Sequence, residues 1–368
     1  MSHAHRLILI LAFSFLAEVK SQTCEGNGFV GGCSDIFDLT GKPVGIQDLI
    51  GSQSIAEVCE GDILAVVHDC DYRIPLYVTI QLDRTEMDTP NPGRCDSCDF
   101  RPSLHLEPSF QATDPDYDGA NERKPCYERQ TDGRLYRDQF WTGADPDQIC
   151  LPSVEPETGT SRGHIIADSY ITAGDSAKDA TYHFTNCIPQ YQKFNSESWN
   201  IAEQQLYPWA EVNCGSDIAD PVVRDNALLH VIVGVVPSTR VGAVFNESHV
   251  APRWFGEWGF GDKVFNATTD YNGNPPATPG AYRVNMPAAM WTAACCIGTD
   301  ANANVAWVRH MAFGRHAKPI GNDEPVLELE WKDLFRKMLP ELDTAGVDLF
   351  PSEALCSNPA NYVSLSTH

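Results

Sequence analysis

The chain has 368 residues, of which 42% are hydrophobic, 10% aromatic and 21% charged, a composition that excludes disordered, collagen-like and coiled-coil proteins. This length accommodates one large domain or two modest ones. Fifty acidic residues against 26 basic ones give a formal net charge of −24, which disfavours loose adhesion to membranes or nucleic acids, so any contact with a polyanion must be local.

The first 21 residues have the pattern of a secretory signal peptide. A short N-terminal region that ends at Arg6 precedes an apolar stretch at residues 7–16. Small or medium-sized residues at positions 19–21 then offer a cleavage site. As a helix this stretch spans about 15 Å, against about 30 Å for the hydrocarbon core of a bilayer, so a retained membrane anchor is the weaker interpretation. We therefore expect a secreted, extracellular protein with no membrane partner.

All thirteen cysteines follow this segment, and an oxidising compartment would pair most of them in disulfides. Because thirteen is odd, at least one thiol is reduced or bonded to another chain. Cys95-x-x-Cys98 resembles half of a zinc ribbon, but no second pair follows at ligand spacing, so a disulfide is the better interpretation. Two sequons predict glycosylated loops at Asn246 and Asn266.

The first half of the chain predicts an early sheet followed by a long loop. Short β-branched runs at residues 63–67 and 76–80 predict two strands separated by a polar turn. Residues 111–160 are rich in Asp, Pro, Gly, Glu and Thr and lack periodicity, which predicts a surface loop. Residues 182–184 have the composition of a short strand.

The second half predicts both helices and strands. Good helix formers with spaced apolar residues predict a helix over residues 198–212, which Pro208 would bend. The apolar run at residues 227–236 predicts a buried central strand. Alternating charges at residues 326–339 predict a surface helix. Together these elements indicate an α+β protein.

Polar residues suited to catalysis are concentrated between residues 161 and 203. A His beside an Arg, as at His164 and Arg162, is more often a structural pair, and an Asn before a helix is more often its cap. In one α-helix, however, the step from Asn195 to Glu203 advances about 80° beyond two turns, so both side chains share a broad face. An amide oxygen and a carboxylate suit a hard cation such as Mg²⁺, which keeps several waters.

These segments resemble the DNA/RNA non-specific endonucleases, a ββα-metal nuclease family. The signature of the family is an Asp-Arg-Gly-His box followed by Asn-x-x-Pro-Gln-x-x-x-x-Asn-x-x-x-Trp-x-x-x-Glu. The second part matches in full, at Asn186, Pro189, Gln190, Asn195, Trp199 and Glu203. Weaker similarity at residues 101–108 and 287–291 extends the resemblance over about residues 60–356. The signal peptide and the cysteines resemble those of secreted invertebrate members.

The resemblance implies a ββα-metal nuclease fold with a central antiparallel or mixed sheet, flanking helices and disulfide staples. It implies that His164 is the general base and that Asn195 and Glu203 hold one Mg²⁺, for which Mn²⁺ or Ca²⁺ could substitute. Arg162 would bind the phosphate.

The resemblance also implies two residues that contact the substrate and a type of product. Arg101 is implied as a helper at the phosphate, and Asn186 as a substrate contact or an organiser of the site. The substrate would be DNA, RNA or both, cut with little sequence preference to leave 5′-phosphate ends. Because many members of the family dimerise, a homodimer is compatible with this interpretation.

The sequence departs from the family pattern in two respects. Ser161 stands where the box has Asp, which removes a carboxylate, although secreted members are similar in carrying Thr or Ser there. The strongly acidic chain must also admit a polyanion, which requires a local basic groove. Candidates for this groove are Arg134, Arg137, Arg162, Lys178 and Lys193.

Two other functions compete with a nuclease. Residues 114–119 begin like a calcium loop, but position 12 is Pro125 where that loop needs Glu. A catalytically inactive nuclease fold that binds calcium, nucleic acid or an extracellular matrix is therefore the alternative. A cysteine hydrolase that uses the odd thiol with His164, His183 or His230 lacks a local nucleophile signature.

The predicted organisation has four parts. In order, they are a signal peptide at residues 1–21, a cysteine-containing region at 22–59, an endonuclease domain at 60–356 and a tail at 357–368.

Overall fold

The structure of the chain is a computed structural model. It covers residues 29, 32–50, 54–70, 72–88, 95, 98, 100–101, 103–106, 160–191, 194–237, 287–317, 326–339 and 344–365. The predicted loop lies outside these residues, apart from residue 160, and so do the calcium-like segment, Asn246 and Asn266. No helix in the ranges just given is long and apolar enough to cross a membrane.

The described residues form a seven-stranded antiparallel sheet and a separate two-stranded antiparallel sheet. The strands are β1 Ile55–Glu60, β2 Leu64–Asp69, β3 Ile74–Leu82, β4 Thr160–His164, β5 Cys187–Tyr191, β6 Leu228–Pro237, β7 Pro287–Thr299, β8 Val305–His316 and β9 Leu327–Glu328. The order in the large sheet is β1-β2-β3-β6-β7-β8-β9, and β4 pairs with β5 in the two-stranded sheet.

Short helices connect and cover these strands. The α-helices are α1 Ile46–Ile50, α2 Arg84–Asp88, α3 Asp175–Lys178, α4 Asn200–Glu211, α5 Pro221–Asp225 and α6 Trp331–Met338. A π-helical turn, Asn195–Trp199, leads into α4, and a second one, Val212–Ser216, follows it. The predicted α+β class is confirmed.

Strand β6 lies at the centre of the sheet, and its side chains alternate between two apolar layers. Val231 and Val233 face the layer that contains Trp209 of α4. Ile232 faces the opposite layer, which contains Phe335 of α6. Because both faces of the strand are covered, its sequence is an almost continuous apolar run, and the predicted central strand is confirmed.

Several disulfides join segments that are distant in sequence, and one is local. They link Cys33 to Cys59, Cys95 to Cys98, Cys214 to Cys296 and Cys295 to Cys356, and Cys70 is also disulfide-bonded. The disulfide predicted at Cys95-x-x-Cys98 is confirmed. Cys187 is a buried thiol in β5.

Strand β1 spans the predicted domain boundary between residues 59 and 60.

Two predicted elements differ from the structure. Residues 182–184 do not form a strand: 3₁₀ turns end at Tyr182 and begin at Phe184, and His183 between them makes only an isolated bridge with Arg101. The helix predicted at residues 326–339 is shorter, because Glu330 accepts hydrogen bonds from the backbone N–H groups of residues 332 and 333 and so caps α6.

Candidate active site

Strands β4 and β5 carry the box and the Pro-Gln pair of the second motif. In their register His164 lies opposite Cys187, and Ser161 lies opposite Gln190. A Cβ atom at Gly163 would lie 1.8 Å from Oε1 of Gln190 and 2.1 Å from its Cδ. Gln190 is buried and its Nε2 is directed at Sδ of Met290 in β7. The Gly of the box and the Gln of the second motif therefore form one packing unit.

The ring of His164 lies between two aromatic side chains. Its centroid is 4.7 Å from that of Phe100 and 4.7 Å from that of Tyr182, whose ring meets it edge to face at 83°. The guanidinium of Arg162, which is buried, lies 5.3 Å from the centre of the same Phe100 ring. These contacts fix the plane of the imidazole and hold the side chains of His164 and Arg162 against the same ring, that of Phe100.

Asn186 organises the backbone behind His164. Its Oδ1 accepts a hydrogen bond from the N–H of Ile166 at 2.9 Å, and its Nδ2 donates to the carbonyls of Ile166 and Thr181 at 3.0 and 2.9 Å. The side chain is fully buried. The amide therefore ties the end of β4 to the turn before β5, which corresponds to the organising role among the two predicted for it.

The helical segment after β5 carries Asn195 and Glu203. Asn195 is half-buried at the start of the π-helical turn, and Glu203 is 9% exposed in α4. The indole Nε1 of Trp199 donates to Oε1 of Glu203 at 2.8 Å, which aims the carboxylate. The prediction that one α-helix joins Asn195 to Glu203 is wrong, because the first turn of this segment has i→i+5 hydrogen bonds.

Asp168 contacts a neighbour of His164 and was not among the residues predicted from the sequence. It follows β4 closely, and its Oδ2 accepts a hydrogen bond from the hydroxyl of Tyr182 at 2.8 Å. Burial and, secondarily, the negative charge of Asp168 raise the pKa of Glu203 to about 8, although the hydrogen bond from Trp199 acts in the opposite direction. The only signal in the sequence was an acid four positions after His164, which belongs to no recognised motif.

Arg101 lies beside Tyr182, one of the two aromatic residues that contact His164. Its N–H donates to the carbonyl of Tyr182 and its carbonyl accepts from the N–H of Phe184, both at 2.9 Å. Its exposed guanidinium forms an ion pair with Asp179, and this pairing raises the pKa of Arg101. The structure therefore brings this predicted substrate contact to the edge of the site.

The structure excludes one of the residues proposed for a basic groove. Lys178 is fully buried at the end of α3 and offers no surface charge to a phosphate, so its prediction is wrong. Arg134, Arg137 and Lys193 lie outside the described residues.

The residue types at positions 195 and 203 fit a hard cation. The amide of Asn195 and the carboxylate of Glu203 are oxygen ligands, and Asp168 adds negative charge nearby. Within the ranges that the structure describes, no group of three or more His, Cys, Asp or Glu side chains is arranged to hold a metal. An amide oxygen and a carboxylate are ligands that Mg²⁺ accepts while it keeps several waters.

Comparison with known proteins identifies the family of the chain. The family model for DNA/RNA non-specific endonucleases matches residues 54–332, which include β1 to β9 and α2 to α5. No curated protein matches the chain. Among solved structures, the crystal structure of a complex of EndoG with EndoGI is similar, with 15% identity, a TM-score of 0.44, and coverage of 84% of this chain and 92% of that one. The chain belongs to the DNA/RNA non-specific endonuclease family.

Proposed function

We propose that the protein is a secreted, metal-dependent endonuclease that hydrolyses DNA, RNA or both with little sequence preference and leaves 5′-phosphate ends. One observation carries the proposal: a chain of contacts links the candidate base to the candidate metal ligand. The ring of Tyr182 meets His164 and its hydroxyl binds Asp168. Tyr170, in the same 3₁₀ turn as Asp168, donates its hydroxyl to the backbone carbonyl of Glu203 at 3.4 Å. The chemistry of the two motifs therefore converges on one place.

His164 acts as the general base. A neutral imidazole accepts a proton at near-neutral pH, and the edge-to-face contact with Tyr182 and the ring of Phe100 hold its plane while it does so. The proton comes from a water molecule directed at the scissile phosphorus. Phe100 and Tyr182 thus orient the base, and they also exclude bulk water from two sides of its ring.

Asn195 and Glu203 hold the divalent cation, with Mg²⁺ as the preferred ion and Mn²⁺ or Ca²⁺ as substitutes. When bound, the ion neutralises charge on the phosphate and on the leaving 3′ oxygen. Trp199 fixes the direction of the Glu203 carboxylate through its hydrogen bond. Asp168 contributes negative charge close to the same group, a role that the family signature does not assign.

Arg162 binds the phosphate. Its guanidinium is always charged and presents parallel donors, which suits a group that all nucleotides share, and so the enzyme reads little sequence. Because the chain carries a net charge of −24, attraction of the substrate depends on such local positive groups. We therefore expect cleavage to weaken steeply with added salt.

The proposal is tested with the purified mature protein, its His164→Ala variant, plasmid DNA and duplex RNA, each with Mg²⁺ or with EDTA. Loss of the general base should lower kcat by about 10²–10⁴-fold, and EDTA should abolish cleavage by the unmodified protein. A His316→Ala variant is the matched control, since His316 lies at the end of β8 and contacts the carbonyl of Met338 in α6. Its cleavage rate should stay close to that of the unmodified protein.

If neither protein cuts either substrate in any condition, the nuclease proposal fails. The alternative, an inactive nuclease fold that binds nucleic acid, calcium or matrix, then takes its place. Thermal unfolding of each variant shows whether a loss of activity reflects a loss of folding.

Secretion and glycosylation are tested in eukaryotic cells that express the full chain. We expect the protein in the medium with an N-terminus near residue 22, and a mass that falls in steps when Asn246→Gln and Asn266→Gln remove the sequons. Protein that stays inside the cell with Met1 in place would contradict the secretion proposal.

A further inference from the structure

The guanidinium of Arg101 is held from two sides. Its Nε donates to Nε2 of His183 at 3.2 Å, and its Nη1 donates to the carboxylate of Asp179 at 2.7 Å, with Nη2 bound to the same carboxylate. The side chain of Arg101 is 48% exposed and that of Asp179 is 32% exposed. The two terminal nitrogens therefore form a fork that faces solvent, and its present partner is an anion.

His183 is fixed by groups behind it. Its Nδ1 lies 3.1 Å from the carbonyl of Ala180 and 3.3 Å from Oε2 of Glu60. Since Nε2 accepts from Arg101, the proton of a neutral ring sits on Nδ1 and is donated to these acceptors. Glu60 is buried at the end of β1 and its Oε1 accepts from the hydroxyl of Thr185 at 2.7 Å. The orientation of the imidazole is therefore set by the main sheet.

The backbone of Arg101 is equally constrained. Its two hydrogen bonds to Tyr182 and Phe184 hold it beside the turn that leads into β5. The preceding residue, Phe100, contacts the ring of His164 and the guanidinium of Arg162. A phosphate on the solvent side of Phe100 would contact the two terminal nitrogens of Arg101.

We propose that Glu60 and His183 position Arg101 as a second phosphate-binding fork, and that Asp179 occupies this fork until a substrate phosphate replaces it. The proposal rests on the nuclease function proposed above. Exchange at Nη1 and Nη2 leaves the Nε bond to His183 intact, so the plane of the guanidinium does not rotate when the anion changes. His183 is thus a positioning residue, and Asp179 is a carboxylate that competes with the substrate.

The first test separates the two acceptors of His183. An Asn at position 183 can still donate to Glu60 but is too short to reach Arg101, whereas a Gln can present its amide oxygen to Nε. We expect His183→Asn to raise KM for a short labelled duplex about tenfold with kcat within about twofold, and His183→Gln to stay within about threefold of the unmodified protein. Equal losses in the two variants would overturn the positioning role.

A double-mutant cycle shows whether His183 acts through Arg101. In an Arg101→Gln background, His183→Asn should raise KM by less than about twofold, because the group that it positions is gone. The full tenfold effect in both backgrounds would mean that His183 acts elsewhere, and this would overturn the proposal. Thermal unfolding of all four proteins checks that each is folded.

The second test concerns Asp179. Asp179→Asn should lower KM about threefold, since the competing carboxylate is removed. Asp175→Asn, on the exposed start of α3, removes the same charge four residues away and is the matched control. If both variants lower KM equally, net charge alone explains the effect and the exchange at the fork is refuted. A rise in KM for Asp179→Asn would refute it as well.

Binding measurements separate failure of this inference from failure of the nuclease function. The dissociation constant of the labelled duplex is measured by fluorescence anisotropy in EDTA, where no cleavage is expected. The same ranking of variants should hold for the dissociation constant as for KM. If the unmodified protein binds but does not cleave, the nuclease proposal fails while the fork is still tested. If it cleaves but the ranking is absent, only the fork is refuted.

Discussion

Gln190 occupies the space that a side chain at position 163 would need. The glutamine is buried, with its amide against Met290, so it cannot swing into solvent when a methyl group appears beside it. The neighbours of Gly163 in the strand are Arg162 and His164, and any shift of β4 moves both groups. Gly163, which must stay small to pack against Gln190, therefore lies between two candidate functional residues.

We expect Gly163→Ala to destabilise the protein by about 1–3 kcal/mol and to lower nuclease activity more than this loss of folded protein explains. Gln190→Ala in the same chain should restore part of both quantities, because it removes the atoms that the new methyl group meets. Gly346→Ala is the control, since no atom lies within 4 Å of a Cβ at that position. Urea unfolding and duplex cleavage are the measurements, and no recovery in the double variant would contradict this explanation.

The residues that surround His164 show where sequence reasoning ends. The motif itself identified His164 and Arg162, because their types and spacing carry information. Phe100 and Tyr182 could not be identified as its neighbours, nor Asp168 as the partner of Tyr182, since an aromatic or acidic residue outside a regular element has no pattern that reveals a contact made through folding. The burial of Lys178 was missed for the same reason, because lysine is almost always exposed.

The π-helical turn before α4 changes how Asn195 and Glu203 are related. An i→i+5 turn contains one residue more than an α-helical turn, so the eight-residue step behaves like seven α-helical residues. Seven residues return to within about 20° of the starting direction, instead of the 80° offset of eight. The extra residue therefore brings the amide and the carboxylate closer to one line. Helical periodicity alone did not reveal this turn, because the sequence reads equally well as an α-helix.

We expect insertion of one alanine after Glu197 to weaken metal-dependent cleavage strongly while α4 persists. The insertion turns Asn195 by about 100° relative to Glu203, so one ligand leaves the face that the other occupies. Glu197→Ala, at the same exposed position, keeps the register and is the control. A titration of activity with Mg²⁺ and far-ultraviolet circular dichroism measure the two effects. An unchanged Mg²⁺ requirement in the insertion variant would refute the role of the turn.

The stability of the whole molecule should depend on pH through His230. Burial in the centre of the sheet lowers the pKa of His230 to about 4, from an ordinary value of 6.5. Between these values the unfolded chain binds a proton that the folded chain does not. The free energy of unfolding therefore falls as the pH decreases from about 6.5 to about 4, by up to about 3 kcal/mol from this residue.

We expect a His230→Gln variant to lose less stability than the unmodified protein between pH 7 and pH 4, because it lacks this proton. Burial raises the pKa values of Glu86 and Glu330, which favours the folded state on acidification, but both remain in the variant and cancel in the comparison. Urea unfolding at several pH values measures the difference. Parallel curves for the two proteins would contradict the assignment.

At the scale of the molecule, the predictable parts were those with a repeating signal. The apolar run of β6, the early strands β2 and β3 and the helix that contains Pro208 all follow from periodicity and residue type. The 3₁₀ turns around His183 did not, because their backbone is set by hydrogen bonds to Arg101, more than 80 residues away. The capping of α6 by Glu330 shortened a helix whose charge pattern had suggested a longer one.

The adjacent cysteines of β7 join the sheet to both of its covers. Successive side chains of a strand point to opposite faces, so Cys296 reaches Cys214 after α4 on one side, while Cys295 reaches Cys356 near the C-terminus on the other. The backbone between residues 214 and 356 thus forms two consecutive covalent loops that meet at one peptide bond. A protease that cuts once anywhere within either loop produces two chains that stay attached, and the nicked enzyme comes apart only when a reductant opens the bridge.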